Sequence, residues 1–235
     1  MGRTLEYSSR EVQMRDSILI RDSIIIQASW GGGLFQNMMR VTYQRHSAYA
    51  ESHNFDYWHI IGHIHPETFP GGWDKIYLIK YAIQHGYKYI AWIDADAAIM
   101  DFDADLRDAL KDKPFDIGAC LHTPEKAEHL KKYNVPPHMN VGVMYWKITD
   151  RTKKFVDDWI AAYPGDKRWS EQGAFNELAK VGGVVGHVDD KWNATVNVNM
   201  VDKPVVKGYH GVTPTINRFN MMRNDCYEDH IKFRI

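Results

Sequence analysis

The chain has 235 residues, 44% of them apolar, and a formal net charge of -1. That length suits one large domain or two small ones with an ample core. The even charge balance argues against a nucleic-acid partner, because phosphate backbones select concentrated Lys and Arg that no segment supplies. No apolar run approaches the roughly 18 residues needed to cross a bilayer, and the opening MGRTLEYSSR lacks the apolar centre of a signal peptide, so a soluble, cytoplasmic protein is expected.

Residues 17–28 (SILIRDSIIIQA) are rich in β-branched side chains and stop at Ser29-Trp-Gly-Gly-Gly33, which predicts a strand entering a glycine loop. A helix is expected over 34–53, a strand over 55–61, and a helix over 73–85 after Pro70-Gly-Gly72, closed by Gly86. A third strand follows over 87–93. Strand and helix alternating in this way imply parallel pairing with helices on the sheet faces. Further on, the sequence predicts a strand at 115–120, a helix near 125–133, the strand Asn140–Trp146, helices near 150–162 and 170–180, and a strand over 183–188. The tail 213–235 mixes polar and aromatic residues and reads as plain surface packing, with a lid folded over the bound ligand as the alternative. No linker divides the chain, so 1–235 is expected to be a single domain. Its front half, about 17–110, would hold a nucleotide, and its back half, about 111–235, would shape a second site.

Ile90-Ala-Trp-Ile-Asp-Ala-Asp-Ala-Ala-Ile99 places two carboxylates, Asp94 and Asp96, at the carboxyl end of a buried strand. Ligands of open α/β sheets bind at such ends. Residues i and i+2 of an extended chain face the same way, and like charges that close are stable mainly with a cation between them. Oxygen ligands favour Mg²⁺ or Mn²⁺, which in turn neutralise a diphosphate. Ser29-Trp30-Gly31-Gly-Gly33 would let a base and ribose approach the main chain, although it is neither G-x-G-x-x-G nor a Walker loop. Lys75 reaches either a phosphate or an aspartate, or else lies on the outer face of its helix.

Other candidates carry less. Asp101-Phe-Asp-Ala-Asp105 fails the calcium-loop pattern, with Leu106 at the glycine position, and reads as a loop capping the next helix. His59, His63 and His65 lack the ligand spacing of a zinc site. Cys120 and Cys226 fit no disulfide framework and read as reduced thiols, and Asn193-Ala-Thr195 is a formal glycosylation sequon of little weight. Most of the eight tryptophans should be core, with Trp169 and Trp192, each beside a candidate site residue, placed to stack on a ligand instead.

Trp92-Ile-Asp-Ala-Asp-Ala97 resembles the Asp-x-Asp motif of GT-A glycosyltransferases. Its neighbours resemble the galactosyl, mannosyl and xylosyl transferases of the yeast and plant type. Those neighbours are Trp73-Asp-Lys75, Asn140-Val-Gly142, Ser170-Glu-Gln-Gly-Ala-Phe-Asn176, Lys191-Trp-Asn193 and Gly208-Tyr-His-Gly211, in matching order over roughly 22–212. Glu171 stands where Asp is commoner, and His210 is followed directly by Gly211.

The resemblance implies a GT-A, Rossmann-like fold with a mixed, mainly parallel central sheet. It also implies a nucleoside diphosphate sugar donor, UDP favoured, and a saccharide acceptor. Asp94, Asp96 and His210 would hold Mn²⁺ or Mg²⁺. Ser29, Trp30, Gly31, Lys75, Asp94, Asn140, Trp192 and Asn193 would line the donor site. The family resembled retains configuration, with Gln172 near the anomeric carbon and Glu171 on donor hydroxyls. An origin as the soluble part of a Golgi-type enzyme is the alternative to the cytoplasm. The competing functions are a sugar nucleotidyltransferase, which would need a basic glycine-rich loop, and a catalytically idle carbohydrate- or nucleotide-sugar-binding module.

Overall fold

Three consecutive isoleucines between Ser23 and Gln27 make the centre of β1 (Ser23–Ser29), all seven positions of which are buried. Burial on both faces is the environment of a central parallel strand. In the computed structural model, which describes residues 21–30, 32–63, 71–165 and 169–232, β1 pairs in parallel with β2 (Asp56–Ile61) and with β3 (Tyr89–Asp94). Helices α1 (Gly33–Ser52) and α2 (Gly71–Gln84) make the crossovers. Gly86, at φ +88°, ends the second of them as expected. The predicted first strand starts later than anticipated, and its positions 17–20 lie outside the described residues.

β4 (Ala97–Ile99) leaves the main sheet at the Asp-x-Asp turn. The chain then adds β5 (Ile117–His122), the short α3 (Glu128–Lys132), β6 (His138–Lys147), α4 (Asp150–Ala161), α5 (Ser170–Ala179) and β7 (Val185–His187). The six-stranded order is β2-β1-β3-β6-β5-β7. β6 runs antiparallel to β3 and β5, and the other pairings are parallel. Alternation along the strands divides the core. Ile24, Ile26, Ile90 and Trp92 face α2, α4 and α5, while Ile25, Ala91 and Ile93 face α1. Asp105 caps a 3₁₀ turn over Leu106–Leu110, the capping role its loop suggested.

Two features went unforeseen. β4, β8 (Ala194–Thr195) and β9 (Val206–Gly208) form a second sheet in the order β4-β9-β8; strands of two or three residues are too short to show an alternation. The tail forms a long helix, α6 (Thr215–Lys232), which packs on α1 through the buried Met222 and Cys226. Among the described residues, no helix is long and apolar enough to cross a membrane. Both cysteines are free and buried, and burial pushes the Cys120 thiol up to about 12.

Candidate functional site

The strand order changes direction at β1, with β2 on one side and β3 on the other, which leaves a crevice above their carboxyl ends. A cleft of about 450 Å³ fills it, lined by Ser29 at the end of β1 and Trp30 just after it, Asp94 and Asp96 from β3 and its turn, Gly72 and Lys75 from α2, Glu171 from α5, and His210. Gln27 fixes the geometry from below. Its side-chain amide donates to the carbonyls of Asp94 (3.2 Å) and Ala97 (3.4 Å). Its Oε1 accepts from Thr42 and Tyr57 and lies 3.2 Å from His46 Nδ1. His46 Nε2 accepts the Ile99 N–H, which puts the ring proton on Nδ1 and keeps the imidazole neutral. Burial pushes His46 down to about 3.

Each acidic side chain of the Asp-x-Asp turn already holds an internal partner. Asp94 Oδ1 accepts from Trp92 Nε1 at 2.7 Å and lies 3.2 Å from Lys75 Nζ. Lys75 is 2% exposed, so it sits inside the molecule rather than on the outer face of α2, and its Nζ also reaches the Val141 carbonyl and, at 3.8 Å, Glu171. Asp96 is 6% exposed and accepts from Arg218 Nη1 at 2.6 Å. Burial and the charge of Asp94 push the Asp96 carboxyl up, against the opposing pull of His210 and Arg218. Burial holds His210 below the ordinary imidazole range although Asp96 and Asp94 oppose this.

Asn140 Oδ1 accepts from the Gly142 N–H and from Asn193 Nδ2, so its amide nitrogen is the atom 3.3 Å from His210 Nε2. That amide donates to the ring nitrogen a metal would use. Two carboxylates and a neutral imidazole are a donor set that fits a divalent cation. Among the described residues, however, no three His, Cys, Asp or Glu side chains converge to hold one as they stand.

Glu171 opens α5, where the helix N-terminus favours a carboxylate. A Cβ on Gly72 would overlap the Glu171 carboxylate, so glycine there leaves room for the acid beside α2. Gln172 Oε1 accepts the Val141 N–H and faces an adjoining cleft of about 300 Å³. This second cleft shares Lys75, Asp94, Glu171 and His210 with the first, and adds His122, His138 and Asn140. Burial and His210 push His122 down to about 2, and burial lowers His138, so both rings are neutral at ordinary pH. Trp169 meets His138 edge-on at 4.3 Å between ring centres.

The structure therefore brings Ser29, Trp30, Lys75, Asp94, Asp96, Asn140, Glu171, Gln172 and His210 to one pair of clefts. Trp30 stacks on Trp92 at 5.9 Å, and its Nε1 and the Ser29 Oγ are buried with no partner among the described residues. Gly31 lies outside the described residues. Trp192 is not in the cleft: it is 4% exposed and packs edge-on against Tyr145 in the core, while its neighbour Asn193 reaches Asn140. The indole buries more apolar surface there than a cleft wall would offer. Of the three histidines, His63 lines the first cleft, its Nδ1 2.9 Å from Asp74; His65 lies outside the described residues. Sequence reasoning missed Gln27 and Arg218, which carry no motif.

Residues 24–140 match the sequence profile of the galactosyl transferase GMA12/MNN10 family. No curated protein sequence matches the chain. Among solved structures, a glycosyltransferase involved in glycosylation of the major capsid of PBCV-1 gives a TM-score of 0.66 at 14% identity, over 86% of this chain and 98% of that one. Mouse xyloside xylosyltransferase 1 gives 0.50 at 10% identity, over 82% and 99% of the two chains. The 4-diphosphocytidyl-2C-methyl-D-erythritol synthase of Anaerococcus prevotii gives 0.50 at 8% identity, over 87% and 97%. These likenesses establish the GT-A fold, and the third shows that the fold does not by itself select a reaction.

Proposed function

We propose that the chain, whose residues 24–140 match the sequence profile of the galactosyl transferase GMA12/MNN10 family, is a glycosyltransferase that moves a hexose or pentose from a nucleoside diphosphate sugar, UDP favoured, to a saccharide acceptor. The observation that carries this reading is the crevice between β1 and β3, where an unpartnered indole N–H and hydroxyl on one side oppose an aspartate pair on the other. Trp30 and Ser29 would take the base and ribose. Asp94, Asp96 and His210 would hold Mn²⁺ or Mg²⁺, which supplies positive charge against the leaving diphosphate. Asn193 orients Asn140, and Asn140 in turn orients His210.

Lys75 sets the position of Asp94 and Glu171 together, since its ammonium lies within ion-pair distance of both. Glu171 would bind donor hydroxyls, with Gln172 beside the anomeric carbon. A glutamine is a poor nucleophile, which favours retention by same-face attack, the departing phosphate oxygen accepting the acceptor proton. A glycosyl adduct trapped on Glu171 would overturn that step. The second cleft would take the acceptor, because neutral imidazoles offer both donors and acceptors to sugar hydroxyls.

Calorimetric titration of UDP and GDP, each with Mn²⁺ and with EDTA, tests the reading on the wild type and on Asp96→Ala. UDP should bind in a metal-dependent way, weakened about tenfold or more by the substitution. Binding indifferent to both metal and substitution would refute the Asp-x-Asp assignment.

A further inference from the structure

Arg218 belongs to α6, a short way past the Gly208-Tyr-His-Gly211 motif but 122 positions from Asp96, yet its guanidinium ends on the Asp-x-Asp turn. Nη1 donates to Asp96 Oδ2 at 2.6 Å, Nη2 to the His210 carbonyl at 2.7 Å, and Nε to the Val212 carbonyl at 3.3 Å. The pair is largely buried, with side-chain exposures of 13% for Arg218 and 9% for Asp96. One side chain thus clamps the loop that carries His210 to the carboxylate opposite it. Two of its three contacts are neutral carbonyls, and the third is the one buried acid of the turn.

We infer that Arg218 is the resident cation of this site, exchanging with a divalent metal at Asp96. This rests on the reading that Asp96 is a metal ligand. An acid buried beside a second acid needs positive charge near it, and Arg218 is the group that provides it at Asp96. With Asp94 turned to Lys75 and Trp92, and the Nε2 of His210 taken by Asn140, all three candidate ligands are engaged by the protein itself. That accounts for the lack of convergence on a metal among the described residues. Metal entry is then a substitution, in which one cation takes the Asp96 oxygen and the other leaves it. The two carbonyl contacts on 210 and 212 keep the guanidinium beside the cleft when it does, with its charge free to face an anionic ligand.

The exchange makes a prediction of unusual sign. A side chain that merely supports the site weakens metal binding when removed, whereas a competitor strengthens it. Mn²⁺ affinity is measured by electron paramagnetic resonance, without nucleotide, on the wild type and on Arg218→Met, Arg218→Gln and Arg218→Lys, with Asp96→Ala as the control for the site. Arg218→Met and Arg218→Gln should bind Mn²⁺ at least about fivefold more tightly than the wild type, and Arg218→Lys, which keeps the charge, should stay near it. The glutamine retains a donor for a loop carbonyl and serves if the methionine variant does not fold. Equal or weaker binding in the neutral variants, with Mn²⁺ still bound through Asp96 in the wild type, overturns the exchange and leaves the metal assignment standing. No Mn²⁺ binding in any of the proteins overturns both.

Discussion

Lys75→Met removes an ammonium from the wall that the two clefts share, while keeping an unbranched apolar stem. Nζ lies 3.2 Å from Asp94 and 3.8 Å from Glu171, and it sits 5.4 Å over the Trp92 ring. Coulomb's law at an effective dielectric constant of about 20 gives gross attractions of about 5 and about 4 kcal/mol for the two pairs. Burying the lysine offsets much of this, and the Asp94 side chain is 33% exposed, so solvent screens it. The expected net loss is about 2–3 kcal/mol of unfolding free energy, left by two acids facing each other without a cation. Urea denaturation measures it, and a cycle with Glu171→Gln isolates the pair. Lys75→Met should be less damaging by about 1 kcal/mol when Glu171 is already neutral. Stability within about 0.5 kcal/mol of the wild type, or no coupling in the cycle, would refute the claim that Lys75 holds the two acids in place.

Gly72→Ala places a methyl group against the flexible end of Glu171. Turnover should fall about tenfold or more with little change in the thermal midpoint, and a lowered midpoint with turnover intact would contradict the placement of Glu171. Stability should also depend on pH through His46. Its folded value of about 3 lies below the ordinary 6.5, so the unfolded chain binds the extra proton between those values. Its contribution is therefore complete above pH about 6.5 and is lost on acidification toward 3, with a slope approaching about 1.4 kcal/mol per pH unit. His46→Gln should flatten that part of a urea-midpoint profile, and His122 acts in the same direction. Asp225→Asn weakens the hold of α6 on β9, because Asp225 Oδ2 accepts from both Lys207 and Tyr209. Unfolding free energy should fall by about 1 kcal/mol, and protease cleavage within α6 should accelerate.

The parts of the molecule legible in sequence are those with a local signature. The isoleucine run of β1, the glycine stop after it, and the buried strand ending in Asp94 each show in a short window, and together they place the crevice. Glu171 and Lys75 were legible because a resemblance ordered the motifs around them, although only the structure shows the lysine turned inward. Gln27 could not be found this way. A glutamine in a strand is unremarkable until three donors on α1 and β2 are seen to converge on its oxygen. The place of Trp192 was equally hidden, since the same indole suits a sugar face or a core and only packing distinguishes them. α6 escaped because its buried residues are few and meet another helix, so its polar surface dominates the pattern.

Arg218 shows why a motif alone understates such a site. Asp94 and Asp96 are two residues apart, but the groups that neutralise them come from α2 and α6, 19 and 122 positions away. A pair of acids held at a strand end is costly by itself, so the fold that keeps it must bring positive charge from elsewhere in the chain. Once the charge arrives on side chains rather than on an ion, the empty site is stable, and a ligand has to replace partners instead of filling a vacancy. Affinity is then a difference between two sets of contacts. A nucleotide that brings its own cation and diphosphate can recover what Asp96 loses in releasing Arg218, because the guanidinium stays anchored by two carbonyls and meets the new negative charge. Donor and metal should therefore bind with positive coupling, each tighter in the presence of the other, and by the same factor in both orders of addition.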